Sequence, residues 1–108
     1  MSDAAEILRK AKELIETKGW CRRDYAVGLD GEAISWSAPE ACRFCMAGSL
    51  YAAAKTNHSP ALSQAFDAIK QSNSIGDLVI FNDARGRRKP QILKAFDRAI
   101  ALAEVKQP

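Results

Sequence analysis

The stretch that most constrains this chain is Glu40–Lys55, E-A-C-R-F-C-M-A-G-S-L-Y-A-A-A-K, the least polar run in an otherwise well-charged sequence. Wound as a helix at 100° per residue, it places Ala41, Cys45, Gly48 and Ala52 on a narrow arc. Such a seam of small side chains lets another backbone approach closely, and a neighbouring helix is expected there. Phe44 and Tyr51 border the seam on one side and Met46 and Leu50 on the other, which leaves Arg43, Ser49 and Lys55 for water. A helix apolar nearly all round belongs in a core.

A chain of 108 residues with 47% hydrophobic side chains suits one domain over residues 1–108, with one core and no need of staples. Arg43 and Lys55 interrupt the best apolar run well short of the ~18 residues a membrane span needs. Met1–Lys10 is too polar for a secretory signal, so the cytoplasm is the expected location and no membrane partner is implied. The net charge of +3 is mild and by itself a weak argument for nucleic acid. Three cysteines leave an odd one under any pairing, and Cys42 and Cys45 on one helix have poor disulfide geometry, so all three read as reduced thiols.

Asp3 followed by Glu6 resembles a capping box, after which Ala4, Ile7, Leu8, Ala11, Leu14 and Ile15 recur at helical spacing. Lys18 and Gly19 close this first helix. From Trp20 to Trp36 the period shortens: Tyr25, Val27, Ile34 and Trp36 alternate around Leu29-Asp30-Gly31-Glu32, which predicts a short β-hairpin packed on the helices through its tryptophans and Tyr25. Ser37-Ala-Pro-Glu40 then reads as the start of the central helix. Ser59-Pro60 starts a third helix ending near Gln71, and Leu78–Phe81, behind Asp77, reads as a short helix although its β-branched content also suits a strand. Asn82–Lys89 is expected to be a polar loop, and Pro90 restarts a last helix with Ile92, Leu93, Phe96, Ala99, Ile100 and Ala103 inward. The expected fold is mainly α with a minor β part: four to five helices around a central apolar helix, with one short hairpin.

Gly19-Trp20 after the first helix, Cys45-Met-Ala-Gly48, the Asn82-Asp83 pair, and Ile92-Leu93 with Phe96-Asp97-x-Ala99-Ile100 follow one another in an order and spacing that resembles a family of short bacterial and phage proteins grouped as a domain of unknown function. The resemblance covers most of the chain. Phe81 and Lys89-Pro90 depart from it, standing where a tryptophan and a threonine often occur. The resemblance implies an architecture and brings no activity with it.

Cys42-x-x-Cys45, with Cys21 and His58, supplies donor atoms suited to zinc, yet the pair lies ~300° apart on the predicted helix, and small core thiols are the plainer reading. Cys42 near a helix start would suit a redox thiol, but the parallel-sheet setting of such motifs is missing. His58 sits in a turn, and Ala84-Arg-Gly-Arg lacks the spaced glycines of a phosphate loop. No metal, cofactor or catalytic residue is therefore assigned.

The candidate binding residues are Asn82, Asp83, Arg85, Arg87, Arg88 and Lys89, which crowd four cations just ahead of a helix N-terminus. Three classes of function follow in order. A non-enzymatic helical interaction or adaptor module, with a protein partner or a second copy, ranks first. A weak phosphate or nucleic-acid binder acting through residues 85–89 ranks second. An enzyme or zinc protein using Cys42, Cys45 or Asn82-Asp83 ranks third.

Overall fold

The computed structural model describes residues 3–106. Its elements follow in the order α1 (Ala4–Thr17), β1 (Ala26–Val27), β2 (Arg43–Phe44), α2 (Met46–Ala54), α3 (Pro60–Asn73), α4 (Leu78–Asp83) and α5 (Lys89–Lys106). The fold is mainly α with a minor β part.

Helix α1 starts where the Asp3 carboxylate accepts the Glu6 amide at 2.8 Å, satisfying one of the free amides of the first turn. It buries Ala5, Ile7, Leu8, Ala11 and Ile15, and packs on α2, α3, α5 and β2. On its outer side Arg9 pairs with Glu104 at 2.8 Å and Lys12 with Asp97 at 2.7 Å. Exposed pairs of this kind contribute ~1 kcal/mol or less each, so apolar burial decides the packing. Helix α5 answers with Ile92, Ala95, Phe96, Ala99 and Ala103, all buried on one face.

Helix α3 has Ser59 as its cap and Pro60 in its first turn, and it runs two residues past the expected Gln71 to end at a left-handed Ser74. The 78–81 segment is helical because the Asp77 carboxylate accepts the Ile80 amide at 3.0 Å, and the helix extends through Asp83. The expected polar loop is correspondingly shorter, since Asn82 and Asp83 belong to α4.

Two expectations are corrected around α2. The helix starts at Met46, and Cys45 is its N-cap. Ser37-Ala-Pro-Glu40 forms successive turns instead, with Ala38 N–H on Ser35 O and Ala41 N–H on Ala38 O. The chain beyond cannot wind because its amides are taken: Cys42 N–H donates to Val27 O at 2.9 Å and Cys45 N–H to Tyr25 O at 3.1 Å. Cys42 and Cys45 therefore do not share a helix. The Asp30-Gly31 reversal does form, with Gly31 at φ +80°, but its return arm touches β1 only at Val27–Ala33 and through Ile34 N–H on Ala26 O. The paired strand is β2, antiparallel to β1 with Ala26 opposite Phe44.

On its other edge β2 meets the chain after α1: Phe44 N–H donates to Gly19 O and Cys21 N–H to Phe44 O, both at 3.1 Å. Tyr25 and Trp36 pack their rings on Tyr51 of α2, with centroids 5.5 and 5.8 Å away, as the hairpin reading expects. Ser49, expected at the surface, is fully buried, its hydroxyl donating to Met46 O at 2.7 Å.

Candidate functional site

Three segments far apart in sequence meet at Asn82. This residue stands in the last turn of α4 with no exposed surface. Its side-chain oxygen accepts the Trp20 indole N–H at 2.7 Å and the Met46 amide at 3.0 Å. Its side-chain amide donates to Cys21 O at 3.1 Å and to an Asp83 carboxylate oxygen at 2.9 Å. An asparagine can form four such bonds, and all four are made. The same Asp83 oxygen accepts the Arg23 amide at 3.0 Å, holding Arg23 in a left-handed backbone at φ 74°. Gly19-Trp20, Cys45-Met-Ala-Gly48 and Asn82-Asp83 thus form one junction.

Gly48 belongs to it for a steric reason. A Cβ on Gly48 would lie 1.9 Å from Tyr25 O and 2.6 Å from Tyr25 C. A close backbone approach was expected at this seam from a neighbouring helix; the backbone that approaches is the extended chain entering β1. Cys45 caps α2 by accepting the Gly48 amide on its sulfur at 3.3 Å.

An open cleft of about 340 Å³ lies beside the junction, lined by Arg23, Asp24, Tyr25, Cys45, Val79 and Asp83. The Cys45 thiol that lines it and the neighbouring Cys21 thiol are poor nucleophiles. Burial pushes the Cys45 thiol up, only partly offset by the Gly48 and Ala47 amides. Cys21 is pushed up to about 12, first by burial, then by neighbouring Cys45 and Asp24, against an opposing pull from Arg43. A thiol that keeps its proton at neutral pH neither attacks nor ligates readily. Cys42 donates to Val27 O at 3.5 Å, and exposed His58 lies in the turn between α2 and α3. Among the described residues no group of three or more His, Cys, Asp or Glu is placed to hold a metal ion.

The cations proposed from sequence divide by exposure. Arg85 and Arg88 are exposed, whereas Arg87 is folded back, its Nε donating to Phe81 O at 2.9 Å and its guanidinium 3.7 Å from the Phe81 ring centroid. Lys89 opens α5 and is half-buried. The fold adds arginines that sequence reasoning assigned to the hairpin region or to the central helix. Arg22 donates to the Arg87 carbonyl and lies 5.1 Å from the Trp20 ring centroid, so residues 22–23 adjoin the basic loop. Arg43, on β2, stands against Gly19 and near enough to Cys21, the residue before Arg22, to pull against its raised thiol. The adjacent Arg22-Arg23 pair is a signal that could have been noticed, although nothing in the sequence places it beside residue 87.

This geometry defines a small, mainly α protein whose polar centre is a saturated structural junction. The chain belongs to DUF6197, a family of unknown function whose model matches residues 1–102. No curated protein and no solved structure matches it.

Proposed function

We propose that this protein is a non-enzymatic helical interaction module working in the cytoplasm. The observation that carries this reading is the saturation of the junction. Asn82 spends all four of its hydrogen bonds on holding three segments together, and Asp83 and Cys45 are engaged in the same task. The raised thiols of Cys21 and Cys45 support it as well, because they disfavour nucleophilic chemistry in the cleft beside them. What remains for function is the outer surface. Three unpaired cysteines fit the reducing conditions of the cytoplasm.

Size-exclusion chromatography of the labelled protein in cell extract tests the reading. A bacterial extract is the choice, in keeping with the bacterial and phage proteins that the chain resembles. An interaction module elutes earlier in extract than in buffer, and the Cys21→Ser and Cys42→Ser variants do the same. Elution as a lone monomer in extract overturns the proposal.

A further inference from the structure

We infer that the arginine-rich face made by residues 22–23, 43 and 85–89 binds the phosphodiester backbone of nucleic acid. The inference rests on the non-catalytic reading above and names the partner. Charge is unevenly divided between the segments that carry this face and the rest of the chain. Arg22, Arg23, Arg43, Arg85, Arg87, Arg88 and Lys89 are seven of the sixteen Lys and Arg, and the segments that carry them, 22–24, 43 and 83–89, include only Asp24 and Asp83 of the thirteen Asp and Glu. The remaining nine cations are outnumbered by eleven carboxylates. A mild net charge therefore hides a strongly positive side and a slightly negative remainder.

Two further features favour phosphate over a general acidic surface. Six of the seven cations are arginines, whose planar fork meets two phosphate oxygens at once. In addition, none of the seven is in an ion pair among the described residues, where the salt bridges formed are those of Arg9 and Lys12. The inner arginines set the frame: Arg22 and Arg87 tie the loop to the 20–23 segment and to α4, while Arg23, Arg43, Arg85 and Arg88 stay exposed. Base reading has little support, because Arg22 and Arg87 lie over the rings of Trp20 and Phe81. Binding should be largely independent of sequence. With about four phosphates neutralised, log K falls with log salt at a slope of roughly −3 to −4 on duplex, on the order of a hundredfold between ~50 and ~200 mM salt.

Fluorescence anisotropy with single-stranded and duplex oligonucleotides of mixed sequence tests this, with poly-glutamate of matched charge as the acidic-polypeptide arm. The tighter of the two oligonucleotides identifies the form of nucleic acid. The face variant carries Arg23→Gly, Arg43→Ser, Arg85→Ser and Arg88→Ser, all at exposed positions, with glycine chosen to suit the left-handed backbone at 23. The control removes four charges elsewhere, as Lys10→Ser, Lys18→Ser, Lys55→Ser and Lys94→Ser. Circular dichroism and melting confirm that both variants fold. The expected result is a loss of roughly tenfold or more in the face variant at ~50 mM salt and about threefold or less in the control. Equal losses in the two variants, no binding of either oligonucleotide, or tighter binding of poly-glutamate would overturn it. Earlier elution in extract combined with any of these results leaves the interaction module standing and removes nucleic acid as its partner.

Discussion

Asn82 is the side chain on which the most backbone depends. Alanine there leaves the buried Met46 amide and the partly buried Trp20 indole N–H and Cys21 carbonyl without their partner. Each orphaned group costs ~1–3 kcal/mol, so Asn82→Ala should lose on the order of 3–5 kcal/mol in urea unfolding. Trp20→Phe removes one of these bonds and should cost less; an equal cost would show that Asn82 does not organise the junction. Cys21 provides a second test at this scale. Its folded-state thiol sits at about 12 against an ordinary 9.0, so the folded chain holds that proton more tightly than the unfolded chain does. The contribution is complete below pH 9.0, declines as the unfolded thiol ionises, and is gone as pH passes about 12. Melting temperature should therefore fall less steeply above pH 9.0 in Cys21→Ser than in the natural chain. Much at this scale was legible: Asp3, Ser59 and Asp77 are ordinary capping side chains in ordinary places. Cys45 was not, because a thiol is no usual cap, and neither was the burial of Asn82, three of whose four partners lie 36 to 62 residues away.

At the scale of elements, the helices with one apolar face could be placed from their period, and α2 could not be bounded. Ala41, Phe44, Met46, Ala47 and Leu50 are all buried, whether in turn, strand or helix, so the apolar pattern runs unbroken across the change of backbone. What sets the boundary is the hold of β1 and the extended chain entering it on the amides of Cys42 and Cys45, through long-range bonds to Val27 O and Tyr25 O that no local signal reports. Gly48 measures how tightly those two elements meet. Alanine normally stabilises a helix over glycine by ~1 kcal/mol, but here the added methyl would stand 1.9 Å from a backbone oxygen that cannot rotate away. Overpacking should win, and Gly48→Ala should cost a net ~1–3 kcal/mol, lowering the melting temperature by several degrees. Gly76→Ala, where a Cβ meets nothing within 4 Å, is the matched control and should leave melting nearly unchanged. A melting temperature for Gly48→Ala no lower than the control's would mean that the Tyr25 backbone does not press on α2.

Across the whole molecule, two kinds of cohesion are unevenly distributed. Helices α1, α3 and α5 pack on one another through buried apolar faces, and α2 joins them chiefly through α1. Helix α4 packs mainly on α2, and it is held with residues 19–27 and 42–45 largely by the hydrogen bonds around Asn82. A region built on a few polar links and short strands should open at lower free energy than the helical core. Native-state hydrogen exchange can separate the two by asking which mutation each region feels. Ile69→Val trims a fully buried contact on α3 and should cost ~0.5–1.5 kcal/mol. If the junction opens while the core stays folded, that substitution speeds exchange in α1, α3 and α5 by up to about tenfold and leaves β1, β2 and α4 unchanged. Asn82→Ala should speed exchange everywhere, since unfolding of the core includes opening of the junction. Uniform acceleration by Ile69→Val would instead mean that the molecule unfolds as one unit. In that case the basic face, which is carried by the junction segments and the loop after α4, could not loosen on a partner without loosening the core.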